Sequence, residues 1–218
     1  TVLARLKPPT PGEDGHDVTG RVLKAKPGRP AKLGAGKNVR ITPDGLEARA
    51  TRRGVARLKG GKLIVEEVFR VSGDVDYAVG NIHFIGDVDV SGDVYPDFAV
   101  RAEGSVNIRG NVDKATIEAH LDVTVRGGVF GKPGVHIRAG HDVNLHFAEN
   151  AVIQAFNDVV VADTLLQCDV RAGSVIVFKK SGGPACVGGR IVASGGIEAT
   201  VLGSPTSPAR TLCQIEVD

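Results

Sequence analysis

The chain is poor in the residues that many ligand sites use. It has no Met and no Trp, and only 4% of its residues are aromatic. Proteins that bind single-stranded nucleic acid, and many that cleave sugars, stack their ligands on aromatic rings, so this shortage disfavours both classes. An uninterrupted run of about 18 apolar residues, the signature of a membrane-spanning helix, is also missing from the sequence. Because there is no initiator Met, we expect the chain to be a fragment or a processed product.

Cysteine is equally scarce. The three cysteines, Cys168, Cys186 and Cys213, are odd in number, widely spaced and without a Cys-x-x-Cys pair. That pattern fits a reducing compartment rather than a disulfide framework, so we predict a cytoplasmic protein. By default, each cysteine is predicted to be a small buried hydrophobe.

What the sequence has instead is a short phrase that recurs, an Ile or Val followed by one variable residue and an Ala. The alanines of successive copies are 17, 20, 16, 17 and 21 residues apart. A strand-rich repeat of this length is typical of a solenoid, in which each copy forms one rung. The copies are Val100-Arg101-Ala102, Ile117-Glu118-Ala119, Ile137-Arg138-Ala139, Ile153-Gln154-Ala155, Val170-Arg171-Ala172 and Ile191-Val192-Ala193.

Each rung also contains a second strand with apolar residues at every other position, as in Val106-Asn107-Ile108 and Val123-Thr124-Val125. This period of two is typical of half-buried strands. We expect the repeated Ala to point inward at a place where only a small side chain fits. We expect glycines to occupy the corners because corners need positive φ angles. The corner glycines are Gly104, Gly110, Gly127, Gly128, Gly140 and Gly173.

The limits of the solenoid follow from its corners. Gly-Asp-Val corners at 73–75 and 86–88 place its start near Val71, and Gly195 to Ala199 close the last good rung. Spacings that are not multiples of six argue against a left-handed hexapeptide helix. Parallel crossovers are right-handed, so we predict a right-handed parallel β-helix. Segments 131–134 and 179–184 are predicted to loop out between rungs.

Charge divides the chain at the same point. Residues 1–70 carry 16 Lys and Arg against 7 Asp and Glu, whereas residues 71–218 carry 11 against 18. We therefore predict three regions: a small basic all-β domain at 1–70, the β-helix at 71–203 and a C-terminal strand or extension at 204–218. In the first region we expect strands at 39–41, 46–48 and 62–65. A basic surface attracts acidic partners, which leaves nucleic-acid binding by residues 1–70 open as an alternative.

Three groups of residues resemble functional motifs. Gly34 to Asn38 resembles a phosphate-binding loop, but Ala31 and Asn38 stand where that motif needs Gly and Ser or Thr. His136, His141 and His146 are five residues apart, a spacing that one strand cannot present on one face. The acidic residues are expected to cap their own turns rather than bind calcium or cleave sugars; they are Asp74, Asp76, Asp87, Asp89, Asp93, Asp142 and Asp158. We assign no catalytic, cofactor-binding or metal-binding residue and no cofactor.

Two stretches carry a family resemblance. The segment from Pro8 to Gly20 resembles the entry motif of the flagellar assembly protein A family, and the segment from Gly73 to Val88 is similar to its most recognisable stretch. The resemblance implies a right-handed β-solenoid similar to those of bactofilins and of the C-terminal domain of the division inhibitor MinC. It also implies a non-enzymatic role in flagellar or polar organisation, with protein partners such as a sugar phosphotransferase component or a polar landmark protein.

The favoured hypothesis is a scaffold that works by self-association and partner docking. The alternatives are nucleic-acid binding through the basic domain and an enzyme, either an acyltransferase or a carbohydrate-active protein, built on the β-helix. Because the end of a solenoid is an unpaired sheet edge, we predict that the C-terminal segment from Thr206 to Asp218 is ordered by pairing with another strand.

Overall fold

The computed structural model describes residues 1–177 and 185–216. The chain divides into two compact units, Thr1–Glu67 and Val68–Asp218. All regular elements among the described residues are strands, and none is a helix. The predicted all-β class is therefore confirmed. A helix long and apolar enough to cross a membrane is accordingly not found in this part of the chain.

The first unit is built from short antiparallel pairs. β5 pairs with β1 on one side and with β4 on the other, while β2 pairs with β3 and β6 with β7. Positive φ angles at Gly60 and Gly61 form the tight turn between β6 and β7, which suits a two-residue hairpin. The strands are β1 Val2–Arg5, β2 Gly15–His16, β3 Val22–Leu23, β4 Val39–Ile41, β5 Glu47–Ala50, β6 Val55–Lys59 and β7 Lys62–Glu66.

The second unit is a parallel β-solenoid of about eight rungs, as predicted. Its right-handed winding stays a prediction. The strands are β8 Val68–Val71, β9 Ile82–Phe84, β10 Asp87–Val90, β11 Ala99–Ala102, β12 Val106–Ile108, β13 Val112–Asp113, β14 Thr116–Ala119, β15 Val123–Ala139, β16 Val143–Ala155, β17 Asp158–Val161, β18 Leu165–Val177, β19 Cys186–Ala199 and β20 Thr211–Ile215.

Each rung contributes to three ladders of paired strands. We call the ladder that carries the repeated alanines the Ala side; it begins with β9, β11 and β14. The Val side begins with β8, β10 and β12. The third side begins with the bridges from Val75 to Val94 and from Val94 to Val112. Each of the long strands β15, β16, β18 and β19 continues from one side of the coil to the next, with register shifts on the way.

The register of the Ala side confirms that the repeated phrase is a structural repeat. Ala102 pairs with Ala119, Ala119 with Ala139, Ala139 with Ala155 and Ala172 with Ala193. Five of these six alanines are buried, and Ala155 is half-buried. The alanines thus form one inward column, which ends in the larger residues Phe84 and Ile215.

The core is a set of straight apolar columns. On the Val side, one inward column is 0% exposed along its length, from Val88 through Val106, Val123, Val143 and Val159 to Val175. Full burial of one such side chain stabilises the fold by about 1.5 to 3 kcal/mol relative to its exposure. Because each rung repeats the same inward positions, burial in one rung depends on the rungs above and below it.

The expectation for the corner glycines is wrong. None of Gly104, Gly110, Gly127, Gly128, Gly140 and Gly173 has a positive φ angle. Glycine is needed there because a Cβ atom would overlap atoms that neighbour it in the coil. At Gly104 it would overlap Oδ1 of Asp87, and at Gly140 it would overlap the carbonyl oxygen of His120. At five of the six the requirement is close approach between rungs, and at Gly128 a Cβ would overlap the ring of Phe130 in the same strand.

The acidic corner residues also act between rungs, where we expected most of them to cap their own turns. Oδ1 of Asp87 accepts from the amide of Ser105 at 2.9 Å, and Oδ1 of Asp142 accepts from the amide of Asp158 at 3.2 Å. At the corner between the Val side and the third side, Oδ1 of Asp74 accepts from the amide of Asp93 at 2.8 Å. Only for Asp76 do the described contacts show the expected cap, to the amide of Ala78 at 2.9 Å. Side-chain oxygens therefore tie successive corners together.

The corner between the third side and the Ala side contains residues with positive φ angles, and four of these residues are not glycine. These are Asp97 at 68°, Lys114 at 42°, Asn150 at 53° and Gln167 at 51°. Left-handed backbone is costly for residues with a Cβ atom, so this corner is held by the pairing on either side of it.

The predicted insertions have different outcomes. Between Phe130 and Val135 the register of β15 against β16 shifts, so 131–134 is the insertion that was expected there. Segment 179–184 lies outside the described residues. The C-terminal prediction is confirmed for β20, which pairs in parallel with β19 from Thr211 to Ile215. Residues 217 and 218 lie outside the described part.

Candidate interaction surfaces

The variable residue of each repeated phrase lies on the outer face of the Ala side, where all but Val192, which is buried, are exposed or half-buried. Because Arg101 pairs with Glu118, Glu118 with Arg138, and Arg138 with Gln154, these side chains form one row across successive strands. Neighbouring strands in a sheet are about 4.8 Å apart, which sets the spacing of the row. We call this row the outer ladder; its members are His83, Arg101, Glu118, Arg138, Gln154, Arg171, Val192 and Gln214.

Charged and polar groups of the outer ladder interact across rungs. Nε of Arg101 lies 2.7 Å from Oε2 of Glu118. Farther along the coil, Nη2 of Arg171 lies 3.0 Å from Oε1 of Glu216, and Nη2 of Arg190 donates to Oε1 of Gln214 at 3.0 Å. Each exposed pair stabilises the fold by at most about 1 kcal/mol. Their main effect is to orient the long side chains on the surface.

A shallow groove runs beside the start of the outer ladder. It is lined by His83, Arg101, Glu118, His120 and Arg138. Two guanidinium groups and two imidazoles share the groove with two carboxylates, those of Glu103 and Glu118. Its arginines can donate charge-assisted hydrogen bonds to acidic groups of a partner.

The Val side has a different outer surface. Nε of Arg70 lies 3.7 Å from Oδ2 of Asp89 at its start, and Asn107, Thr124 and Asn144 continue the row. The next two members of the row are apolar, Val160 and Ile176. The row ends in a charged residue, Glu198, so the Val side is polar at both ends with two apolar residues between. The Ala side keeps charged groups along most of its length.

Aromatic side chains cluster on and near the third side. Phe130, 41% exposed, packs against Phe147 with ring centroids 5.8 Å apart. Tyr77 and Phe98 form a second pair, edge to face, at 5.2 Å. Tyr95 lies near acidic corners, and the charge of Asp74 raises the pKa of its hydroxyl. Of the eight aromatic residues that the structure describes, four are exposed, namely Tyr77, Tyr95, Phe130 and Phe156.

The basic first unit neutralises part of its charge internally. Glu47 bonds both Arg5, at 2.9 Å, and Arg49, at 2.7 Å. Arg57 lies 3.5 Å from Glu66. Several of its arginines are therefore already paired with carboxylates.

The phosphate-loop resemblance does not correspond to an open loop. The amide of Gly36 donates to the carbonyl of Leu63 at 2.8 Å, and the carbonyl of Gly34 accepts from the amide of Leu63 at 2.8 Å. The segment lies along β7 as an extended chain, so these backbone groups are used in pairing.

The three spaced histidines do not converge. His136 points outward on the Ala side. His146 lies in β16 directly after Leu145, the last paired residue of the Val side, and His141 lies at the corner between the two sides. All three are exposed. Within residues 1–177 and 185–216, no three His, Cys, Asp or Glu side chains are placed to hold a metal ion.

The cysteines differ from one another. Cys168 and Cys186 are buried, as expected, and burial raises the pKa of their thiols to about 11 and about 12. The expectation is wrong for Cys213, which is exposed on β20, the last strand of the described residues.

The outer ladder was present in the sequence but was not identified as a surface. Its signal was the middle residue of each phrase, which is charged in Arg101, Glu118, Arg138 and Arg171. The middle residue varies from copy to copy, so the repeat is recognised by its Ile or Val and its Ala rather than by this residue.

Comparison with known proteins covers both units. The Flagellar Assembly Protein A beta solenoid domain matches residues 67–218, and the Flagellar Assembly Protein A N-terminal region matches residues 1–61. No curated protein and no solved structure matches the chain. The two matches together span most of the sequence and follow its division into two units, and the chain therefore belongs to the flagellar assembly protein A family.

Proposed function

We propose that this chain is a non-enzymatic assembly scaffold that acts by protein–protein interaction in flagellar or polar cell organisation. The family supports a role in flagellar assembly. The observation that carries the proposed mechanism is the outer ladder, an in-register row of oriented polar side chains on a packed sheet. Such a row suits recognition of an extended protein surface better than enclosure of a small substrate.

The backbone beneath the ladder supports this role. The inward neighbours of Arg101, Glu118 and Arg138 belong to the buried Ile, Val and Ala columns, so the strands that carry these residues are fixed on their inner face. Repeat proteins use such stacked rungs to present extended binding surfaces. A rigid surface also loses little conformational entropy when a partner binds.

The charges suggest how a partner is recognised. Arg101 and Arg138 flank Glu118 in the ladder, and His83 and His120 border the same groove. A partner with carboxylates at matching positions gains charge-assisted hydrogen bonds here, which favours specificity and orientation. The family resemblance makes a sugar phosphotransferase component and a polar landmark protein the first partners to test.

The cytoplasm is the compartment that we propose. Cys168 and Cys186 are buried and unpaired, and such thiols persist in reducing surroundings.

The test compares two pairs of charge reversals in a deletion strain of the source bacterium. Arg101→Glu with Arg138→Glu reverses the outer ladder, and Arg109→Glu with Arg126→Glu makes the same charge change at exposed positions of the Val side. We expect the ladder variant to lose correct flagellar number or polar placement of the tagged protein, while the Val-side variant keeps both.

Thermal unfolding of the purified variants checks that both remain folded. Normal flagella and normal placement with the folded ladder variant would contradict the proposal, as would equal defects in both variants.

A further inference from the structure

We propose that a second copy of this chain docks on the free edge of β20, so that two β20 strands pair antiparallel about a two-fold axis at Cys213. This inference deepens the proposed scaffold function, on which it rests, by naming self-association through the C-terminal end. It commits to an isologous pair, in which each copy contributes the same strand.

The described pairing leaves one edge of β20 open. The strand pairs with β19 from Thr211 to Ile215, and no other described strand pairs with it. The amide of Glu216 donates to the carbonyl of Ala193 at 2.9 Å, so even-numbered residues of this strand face β19. In a strand the N–H and C=O of one residue point to the same edge. Thr211, Cys213 and Ile215 therefore direct their backbone groups to the open edge, where they can pair with another chain.

Earlier rungs show the same alternation. The amide of His120 donates back to Ala102, and the amide of Gly140 donates back to Ala119. The carbonyl of each repeated Ala thus serves the next rung. Ile215 holds that position in β20, and no further rung is present to use its carbonyl among the described residues.

A two-fold axis at Cys213 matches these backbone groups. It places Thr211 opposite Ile215 of the second copy and Cys213 opposite its own equivalent. The N–H and C=O of all these residues point to the open edge, as the hydrogen-bonded pairs of an antiparallel ladder require. Three such pairs, each with two hydrogen bonds, give about six hydrogen bonds in all. An axis that passes between two residues would instead pair an odd-numbered residue with an even-numbered one. The N–H and C=O of the even-numbered residue point to β19 and could not bond the second copy.

Charge supports the same axis. The residues that flank β20 are Arg210 and Glu216, and each lies three positions from Cys213. Antiparallel pairing about Cys213 sets Arg210 of each copy opposite Glu216 of the other. Each Arg210 then faces a Glu216 that also accepts from Arg171 of its own chain at 3.0 Å, so one carboxylate would be shared by two guanidinium groups. An axis at Leu212 would instead set Arg210 opposite Gln214. Opposite charges on facing strands favour this register.

The end of the coil also exposes apolar side chains that a second copy would cover. Leu202 and Ile215 are 51% and 49% exposed, whereas the residues paired with them one rung earlier, Cys186 and Ala193, are both 0% exposed. Inward columns that are buried along the solenoid therefore end uncovered at β20. A second copy placed across the two-fold axis continues the column of Ile191 and Cys213 into its own core.

The experiment is analytical ultracentrifugation of the purified chain and of designed variants. We expect a dimer for the natural sequence. Cys213→Pro removes an open-edge N–H but none of those that face β19, so we expect a folded monomer. Cys213→Ser, which keeps the N–H, is the matched control and is expected to remain a dimer. Circular dichroism establishes that all variants are folded.

Charge reversal identifies the register. Arg210→Glu and Glu216→Arg are each expected to weaken dimerisation about tenfold, because each sets like charges opposite one another. Mixing the two variants restores opposite charges at both positions, so we expect heterodimers to form.

Three results would overturn the inference: a monomeric natural chain, a dimer that persists unchanged in Cys213→Pro, or no heterodimer on mixing. A monomer that binds a strand of another protein at β20 would also reject it in favour of strand addition by a partner. These outcomes are independent of the proposed function, because the assay contains no partner and leaves the residues of the Ala-side groove unchanged.

Discussion

Oδ1 of Asp93 accepts a hydrogen bond from the amide of Asn111 at 2.6 Å, across one rung of the solenoid. Gly110 precedes Asn111, and a Cβ atom on Gly110 would overlap that same oxygen. The Gly-Asp pair of the corner motif is therefore a relation between rungs. The Asp side chain of one rung occupies the space that the Gly of the next leaves free, and this relation yields the first prediction.

Gly92→Ala should destabilise the solenoid by about 1 to 3 kcal/mol, because its Cβ would overlap Oδ1 of Asp74 and the backbone of Gly73. Gly73→Ala is the matched control. It lies in the same motif at the first rung, where a Cβ would meet no atom within 4 Å. Urea unfolding followed by circular dichroism measures both. Equal destabilisation by the two substitutions would disprove the inter-rung explanation.

Asp93→Ala should cost about 1 kcal/mol of stability, since it leaves the amide of Asn111 without its acceptor. Asp93→Asn should cost much less, because Asn111 performs the same function for the amide of Gly128, at 2.8 Å, with an amide oxygen. Chemical denaturation of the two variants checks this order. If Asn at position 93 were as damaging as Ala, charge rather than hydrogen bonding would explain the ladder.

Gln167→Gly should stabilise the chain by up to about 1 kcal/mol, because Gln167 has a φ angle of 51° that glycine adopts without a Cβ penalty. At Gln154, an exposed strand position on the outer ladder, the same substitution should destabilise by a similar amount. Thermal unfolding gives the sign of each change. A loss of stability at position 167 would show that its side chain contributes more than its backbone costs.

In the folded monomer, obtained with Arg210→Glu at high dilution, one of the three thiols should react readily with Ellman's reagent at about pH 8, and all three should react after denaturation. Cys213 is the exposed thiol, whereas Cys168 and Cys186 are buried. Cys213→Ser should abolish the fast reaction. Fast reaction of a second thiol in the native state would mean that the rungs around β18 and β19 open readily.

The buried thiols also predict a pH dependence. Burial raises the pKa of Cys168 to about 11, so the folded state keeps a proton that the unfolded state releases above about pH 9. Stability should therefore be unaffected by this group below about pH 9 and should fall as the pH rises through about 11. Replacement of Cys168 and Cys186 by Ala should reduce that alkaline slope, measured by urea unfolding at several pH values. An unchanged slope would assign it to other groups.

Sequence periodicity was enough to predict the solenoid and its inward positions. Ile117 and Ala119 could be identified as inward because alternation within a strand decides which side chains face the core. The predicted register of the alanines followed, since equal positions of equal phrases stack in adjacent rungs.

The corners could not be predicted in the same way. Whether Gly104 serves backbone freedom or close approach depends on Asp87, which lies 17 residues earlier and meets it only through the coil. Likewise, the exposure of Cys213 depends on whether another strand lies over β20, and none does among the described residues, rather than on any local pattern. Alternation along a strand shows whether a side chain points inward or outward. Which residue of the adjacent rung it meets depends on the number of residues in that rung.

The proposed scaffold function requires that the outer ladder of the Ala side contacts a protein partner. Site-specific photo-cross-linking in living cells tests it most directly, with the cross-linking amino acid placed at Gln154 or at Asn144. Both positions are exposed on β16, but Gln154 lies on the Ala side and Asn144 on the Val side. We predict discrete protein adducts from position 154 and few from position 144. Adducts from position 144 alone, or from neither position, would contradict the account.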